Sequence, residues 1–255
     1  MAQNQTSPSV SLETLVALCK RRGFVYPSAD IYGGINGIYE FGHLGTLLKN
    51  NIRKAWITSL TNKLGKVVQM EGALLAPSAV WNASGHLAGF HDPMVDCKAC
   101  KRRFRADEYD LEKACPVCGK KDWTEVRNFN MMFKTNVGAI EDAASIAYLR
   151  PETAQAVFIN FKNIASTARV KMPFGIAQIG KSFRNEITPK QFLFRMREFE
   201  QMELEWFCKE AEAPDTFLFW IEHRLAFYKT IGITPEKVRI RPHEGHELAH
   251  YAISC

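Results

Sequence analysis

Arg184 and Glu186 stand two residues apart in the run FRNE, and Arg195, Phe199 and Glu203 follow at four-residue spacing. Each side chain brings a distinct capability. Arginine presents a planar fork that matches phosphate oxygens. A phenylalanine ring can stack on a base. Carboxylates hold an amine or share a metal ion with phosphates. Two arginines, one aromatic ring and two carboxylates within GIAQIGKSFRNEITPKQFLFRMREFEQMELEWF, residues 175–207, form a compact set for a nucleoside triphosphate.

The elements that must position these residues follow from periodicity. Gln178, Ser182, Arg184 and Glu186 alternate with Ala177, Ile179 and Phe183, a strand pattern. Thr188-Pro189 favours a loop between this segment and the next. Residues 194–207 stay open: positions 195, 199 and 203 share one face of a strand and also lie roughly on one face of a helix. Upstream, Ser11 is placed to cap a helix carrying Leu12, Leu15, Val16 and Cys19. The glycine-rich residues 31–45 read as turns and short strands around a functional loop and fit no phosphate-binding fingerprint. Leu44, Leu47, Leu48, Ile52, Ala55, Trp56 and Leu60 form a helical stripe. Val67 to Pro77 reads as one strand ending at its proline. A helix is predicted from Pro151 to Asn163 with Val157, Phe158 and Phe161 inward. Another is predicted to start near Pro214, burying Phe217, Leu218, Ile221, Leu225 and Tyr228.

Cys97, Cys100, Cys115 and Cys118 are spaced C-x2-C-x14-C-x2-C. Two thiolate pairs on tight turns can close a tetrahedral site, and four protein ligands leave no open position, so the implied zinc is structural. Lys98, Lys101, Arg102, Arg103 and Arg105 surround it. They form either a solvated basic face or a contact for RNA phosphates, and Arg105 has the further option of pointing toward a substrate. Cys19, Cys208 and Cys255 have no such spacing and read as ordinary thiols.

With 255 residues, 46% of them hydrophobic, the chain can bury a sizeable core, as one large domain or two small ones. A net charge of +6 does not separate a polyanion-binding surface from an ordinary solvated one. No run approaches the roughly 18–20 apolar residues of a membrane span. The N-terminus lacks a basic start followed by an apolar core, so the sequence reads as cytoplasmic, with thiols or metal and not disulfides.

The motifs LVALCKRRGFVYPSADIYGG, FGHLGTLLKNNIRKAW, SGHLAGFHDPMVDCKACK, FNMMFKTNVG, LRPETAQAVFINFKN and FRNEITP with REFEQMELE together resemble the dimeric glycyl-tRNA synthetases, which are class II aminoacyl-tRNA synthetases. The likeness spans residues 11–252. It implies an α+β catalytic domain over 11–255, an antiparallel sheet flanked by helices, interrupted by a zinc-knuckle insertion at 92–126. The helix near 43–64 and the strand ending at Pro77 would be motif 1, the homodimer interface. Residues 175–207 would be motif 2, two antiparallel strands and their loop. That selects a strand for 194–207.

The resemblance also implies chemistry. Glycine and ATP give glycyl-adenylate and pyrophosphate, and the glycyl group passes to tRNA(Gly). The first step brings two anions together, so positioning and cations aimed at developing charge carry it. Arg184 would be the catalytic residue, bridging the α-phosphate and the glycine carboxylate. Glu186 would contact the adenine edge or the tRNA end, Arg195 the γ-phosphate of a bent ATP, and Phe199 the adenine face. Asn185 and Phe194 would line the same nucleotide site. Glu152 and Glu203 would bind the glycine ammonium, with Arg105 and Phe199 also at the amino-acid end. Magnesium would bridge the ATP phosphates. Glycine offers no side chain to grip, so selectivity rests on anchoring both its charged ends and filling the side-chain space.

Ala156 stands where glycine is usual in the family, and the span between the cysteine pairs is short for it. In the family, motif 3 and an anticodon-binding domain follow the point reached at Cys255. The expectation is an N-terminal fragment, missing motif 3, without full catalysis. The alternatives are a non-catalytic synthetase-like dimerisation or RNA-binding module, which need not keep the nucleotide residues, and a zinc-ribbon adaptor, which accounts for residues 97–118 alone.

Overall fold

The structure, a computed structural model, describes residues 10–189 and 191–242. Cys255 and the HELAHYAISC segment lie outside them. In chain order the regular elements are α1 (Leu12–Arg21), β1 (Val25–Pro27), β2 (Tyr39–Phe41), α2 (His43–Leu64), β3 (Val67–Gln69), β4 (Leu75–Pro77), α3 (Ser78–Ala83) and α4 (His86–Gly89). They continue with β5 (His91–Asp96), β6 (Arg103–Arg105), β7 (Arg127–Asn130), β8 (Lys134–Asn136), β9 (Ile146–Leu149), α5 (Ala154–Thr167), β10 (Phe174–Phe183), β11 (Glu198–Phe207) and α6 (Ala213–Thr230).

The organising pair is β10–β11, two ten-residue antiparallel strands in register from Phe174↔Phe207 to Phe183↔Glu198. The open choice for residues 194–207 therefore resolves to strand from Glu198 onward, preceded by a short helical turn at Phe192–Phe194. β3 joins β10 in parallel, giving the order β11-β10-β3, so this sheet is mixed and not purely antiparallel.

Alternation sorts the two faces of this sheet. Ala177 and Ile179 with Met202 and Leu204 meet Trp56 and Leu60 of α2 and Phe227 and Trp220 of α6 in one core. Phe174 and Ile176 with Phe207 meet Val157 and Phe161 of α5 in the other. Along the second face the apolar residues give way to Gln178, Gly180 and Ser182, opposite Glu203, Gln201 and Phe199. A strand buried along one face would continue apolar; this one turns polar halfway, and that half is where chemistry can sit.

Three expectations change. The segment 67–77 is not one strand: β3 pairs with β10, β4 pairs with β9, and Met70–Leu74 carries the chain between two sheets. Polar Glu71 and Gly72 interrupt the alternation there. α5 begins at Ala154, since Arg150–Thr153 is taken up by contacts to the sheet, and Phe158 is exposed while Val157 and Phe161 point inward. In α6, Leu218 and Tyr228 are exposed and Phe227 is the buried residue. The stripe was drawn one residue away from the line through Trp220, His223 and Phe227, which packs on α2, with His223 Nε2 3.0 Å from the Ser59 carbonyl.

Two readings hold, the cap at Ser11 and the helix over residues 43–64. The Ser11 hydroxyl accepts from the Thr14 backbone N–H at 3.2 Å, capping α1. α2 runs as a 22-residue helix. No helix among the described residues is long and apolar enough to cross a membrane.

Candidate active site

The segment Arg150–Glu152 crosses the polar half of β10–β11 and is fastened to it residue by residue. Arg150 is buried; its Nε donates to the Lys181 carbonyl at 2.7 Å and its Nη1 to the Gly72 carbonyl at 2.9 Å. The Phe183 backbone N–H donates to the Arg150 carbonyl at 2.9 Å. Arg184 Nε donates to the Pro151 carbonyl at 3.1 Å. The Thr153 hydroxyl donates to Glu203, and Gln178 Nε2 donates to the Thr153 carbonyl. Gln178 Oε1 in turn accepts from the Gly72 backbone N–H at 3.2 Å. Glu152, Arg184 and Glu203 are thereby brought to one place from three separate stretches of chain.

Gly180 allows this close approach. A Cβ there would stand 2.1 Å from Arg150 Nη2, so the guanidinium needs a bare backbone beneath it. Burial pulls the Arg150 pKa down, and the charges of Glu203 and Glu71 oppose that shift.

The two carboxylates sit in different surroundings. Glu152 Oε1 accepts from Gln155 Nε2 at 2.6 Å and lies 3.4 Å from His86 Nε2. The His86 hydrogen bond, first, then Gln155 and the charges of His86 and Arg184, hold its carboxyl below the usual range against the effect of burial. Glu203 accepts from Gln201 Nε2 at 3.2 Å and from Thr153. Burial pushes Glu203 up, helped by the Glu152 charge and opposed by the Thr153 hydroxyl. Glu205, two residues along the same face, is also raised, by burial and then by Glu203 and Glu152. Environments that drive neighbouring carboxyls apart give them separate roles.

The arginine and the aromatic ring are also in contact. The Arg184 guanidinium carbon lies 5.2 Å from the Phe199 ring centre and 5.5 Å from that of Phe90. Cation–π contact on two rings fixes the fork while leaving its outer edge for an anion. Glu186 is buried and pairs with Arg195, Nε to Oε2 3.4 Å, so the ion pair in this loop is Glu186–Arg195 and not Arg184–Glu186. The Asn185 backbone N–H donates to the Met131 carbonyl at 2.7 Å, and Phe194 is 82% exposed on the loop. Arg197, unnoticed in the sequence, ties the loop down: its Nε donates to the Glu186 carbonyl at 2.9 Å and its backbone N–H to the Gly37 carbonyl at 2.7 Å. Part of the glycine-rich segment thus packs against the loop between β10 and β11.

Arg105 lies apart on β6. Its guanidinium is held by Asp92 at 2.9 Å, Asp107 at 2.7 Å and Glu108 at 3.3 Å. The sheet order there is β6-β5-β7, running from His91 to Asn130.

The four cysteines converge as their spacing predicts, with all four Sγ atoms within 4.8 Å of one another. Cys97–Cys118 and Cys100–Cys115 are 3.6 and 3.8 Å apart. These separations exceed a disulfide bond and match the roughly 3.8 Å edge of a tetrahedron with zinc–sulfur bonds of about 2.3 Å. The two turns are copies of each other. Cys97 N–H donates to the Arg102 carbonyl and Lys101 N–H to the Cys97 carbonyl; Cys115 N–H donates to the Lys120 carbonyl and Gly119 N–H to the Cys115 carbonyl. Phe104 packs between Tyr109 and Trp123 beside them.

Sequence comparison gives the class. Residues 133–252 match the family described as tRNA synthetase class II core domain (G, H, P, S and T), a span that includes the fastened segment and both long strands. The fold agrees: a crystal structure of the RNA binding domain of a threonyl-tRNA synthetase from Cryptosporidium parvum Iowa II superposes with a TM-score of 0.58 at 16% identity, covering 86% of this chain and 42% of that one. The fold is that of a class II aminoacyl-tRNA synthetase core, with mixed helices and antiparallel strand pairs.

Within that class its homologues are glycine–tRNA ligases. One from Borreliella afzelii (strain PKo) is 48% identical over 96% of this chain and 56% of its own length. One from Treponema pallidum (strain Nichols) is 50% identical over 94% of this chain and 53% of its own. The chain spans just over half the length of these curated relatives.

Proposed function

We propose that the protein is a glycine–tRNA ligase: it activates glycine with ATP and transfers the glycyl group to tRNA(Gly). The observation that carries this reading is the fastening of Arg150–Glu152 onto β10–β11, which sets Glu152, Glu203 and Arg184 around one small space. Two carboxylates and one arginine are the charges needed to hold an ammonium and a carboxylate a single carbon apart. Both contacts to Glu152 fall on Oε1, leaving Oε2 for the substrate ammonium. Arg184, clamped between Phe90 and Phe199, meets the glycine carboxylate and the α-phosphate together. It cancels the repulsion between the two anions and stabilises charge that builds at phosphorus.

Phe199 faces the adenine ring, and Arg195 and Asn185 lie on the loop side with Glu186, where the triphosphate tail and the tRNA end arrive. Phe194 projects from the same loop. Magnesium supplies charge neutralisation at the ATP phosphates when bound. Gln201, Ser182 and Thr153 keep Glu203 oriented through linked hydrogen bonds. Selectivity for glycine over alanine would follow from protein atoms filling the side-chain space, so that a methyl clashes. Arg105, its guanidinium taken up by Asp92, Asp107 and Glu108, braces the insertion and is not among the groups that meet glycine.

The insertion at 92–126 holds a structural zinc on Cys97, Cys100, Cys115 and Cys118, and its exposed lysines suit RNA phosphates. The partners are glycine, ATP and tRNA(Gly), with a homodimer formed through α2 and the β3–β4 stretch, in the cytoplasm. The testing experiment is ATP–pyrophosphate exchange with single amino acids, run on a protein of the relatives' full length, of which this chain spans just over half. Exchange driven by glycine and not by alanine or serine is the expected result; exchange driven equally by all three, or by none, refutes the reading.

A further inference from the structure

The short turn between α3 and β5 touches the candidate site at two points. His86 Nε2 lies 3.4 Å from Glu152 Oε1, and four residues on, the Phe90 ring lies 5.5 Å from the Arg184 guanidinium. His86 itself is fixed from behind. Its Nδ1 is 2.9 Å from the Ser84 hydroxyl, which also lies 3.4 Å from the Trp81 carbonyl. Its ring meets the edge of the buried Trp81 at 5.5 Å and Phe90 at 5.5 Å. The Ser84 contact fixes the plane of the ring and aims Nε2 at Glu152.

We propose that His86 is a positioning residue for substrate ammonium recognition: it grips one oxygen of Glu152 so that the other is presented, ionised, to the amine. The inference rests on the reading of Glu152 as the ammonium anchor. A carboxylate on a loop can rotate away or take up a proton. One that is hydrogen-bonded by a ring locked between two aromatic side chains does neither. Phe90 gives the same turn a hold on Arg184, so the two charged ends of the substrate are registered by one rigid piece of chain. The charged groups facing Glu152 are His86 from α4, Arg184 from the end of β10, and Glu203 and Glu205 from β11. Of these His86 is the one in direct contact, 3.4 Å from Oε1, so its removal is read most directly at Glu152.

The experiment compares wild type with His86→Phe, which keeps a ring and loses the donor, and His86→Gln, which keeps a donor and loses the ring. Two readouts are taken: the titration midpoint of the Glu152 side-chain carboxyl by carbon NMR, and KM for glycine and for ATP in pyrophosphate exchange. His86→Phe is expected to move the Glu152 midpoint upward and to raise KM for glycine about tenfold, the loss of one charge-assisted hydrogen bond, with KM for ATP within about twofold. His86→Gln is expected to restore most of the glycine KM while leaving the midpoint above wild type. If His86→Phe does not fold, the upward midpoint shift in His86→Gln carries the test. An unmoved Glu152 midpoint in the folded variants overturns the proposal. Wild type without glycine-dependent exchange overturns the functional reading instead, and the Glu152 titration still judges His86.

Discussion

Gly180 lies directly against the Arg150 guanidinium, so close that a Cβ on residue 180 would stand 2.1 Å from Nη2. The smallest residue and one of the largest share a single layer of the site, and the conformation of Arg150–Glu152 depends on both. Gly180→Ala therefore displaces Arg150 from the Lys181 and Gly72 carbonyls and leaves a cation with lost partners in a buried position. The expected cost is about 3 kcal/mol in urea unfolding, as for other broken buried charge contacts. Glycine KM rises with it, because Glu152 is next but one to Arg150.

A second prediction concerns pH. Glu205 is raised by burial and by the neighbouring Glu203 and Glu152 charges. A carboxyl whose folded pKa lies above its unfolded value stabilises the fold below the unfolded value and loses that contribution as pH rises through the folded one. Glu205→Gln is therefore expected to raise the melting temperature at pH 7 and to leave it unchanged below about pH 4. Equal shifts at both pH values would count against a burial penalty at this carboxyl.

The paired cysteine turns make a third. Gly119 and Lys101 occupy equivalent positions, and both have positive φ, 72° and 61°. Glycine tolerates that conformation and lysine is strained in it. Lys101→Gly is expected to stabilise the insertion by about 1 kcal/mol, measured by thermal unfolding. Chelation with a strong zinc-binding agent acts in the opposite direction, releasing one metal per chain and lowering the melting temperature. Cys97→Ser should abolish that metal release.

Ala156 packs its methyl against Gly72; a Cβ added at Gly72 would sit 2.5 Å from it. Replacing Ala156 by glycine removes this contact and costs about 1 kcal/mol in helix propensity. Gly72→Ala is expected to be much worse, since the new methyl also presses on Arg150 Nη1 at 3.1 Å and Gln178 Oε1 at 3.2 Å. The comparison is read from denaturant midpoints of the two variants.

The strand pattern around Gln178–Arg184, the cap at Ser11, the helix α2 and the cysteine cluster were legible because each rests on local spacing; of the α2 stripe, Leu47 and Leu48 are exposed and Trp56 and Leu60 are buried. The parts that were not legible depend on pairing across the chain. Nothing between Val67 and Pro77 announces that its two ends join different sheets. The α6 face was misdrawn because aromatic and apolar residues occur all round that helix, and the neighbour, α2, decides which are buried. In the candidate site, Arg184, Phe199, Glu152 and Glu203 could be named from motifs, whereas Arg150, Gln178, Gln201, His86 and Phe90 could not. Their roles come from contacts tens of residues away, such as Gln178 with Gly72 and His86 with Glu152. Gln178 and Ser182 did register, as the polar side of a strand, which was the available hint that this half of the face is not core.

The most direct test of the account is glycyl-adenylate formation by Arg184→Ala. The Arg184 side chain donates a hydrogen bond to the Pro151 carbonyl and rests on two rings, while its backbone bonds to Arg197 and Glu186 do not need the side chain. The fold should therefore survive Arg184→Ala with a modest drop in melting temperature. The account predicts a fall in the rate of adenylate formation of about a thousandfold, the scale for removing a charge-stabilising donor from a reaction centre, with circular dichroism unchanged. A folded Arg184→Ala protein that forms glycyl-adenylate at near wild-type rate would contradict it.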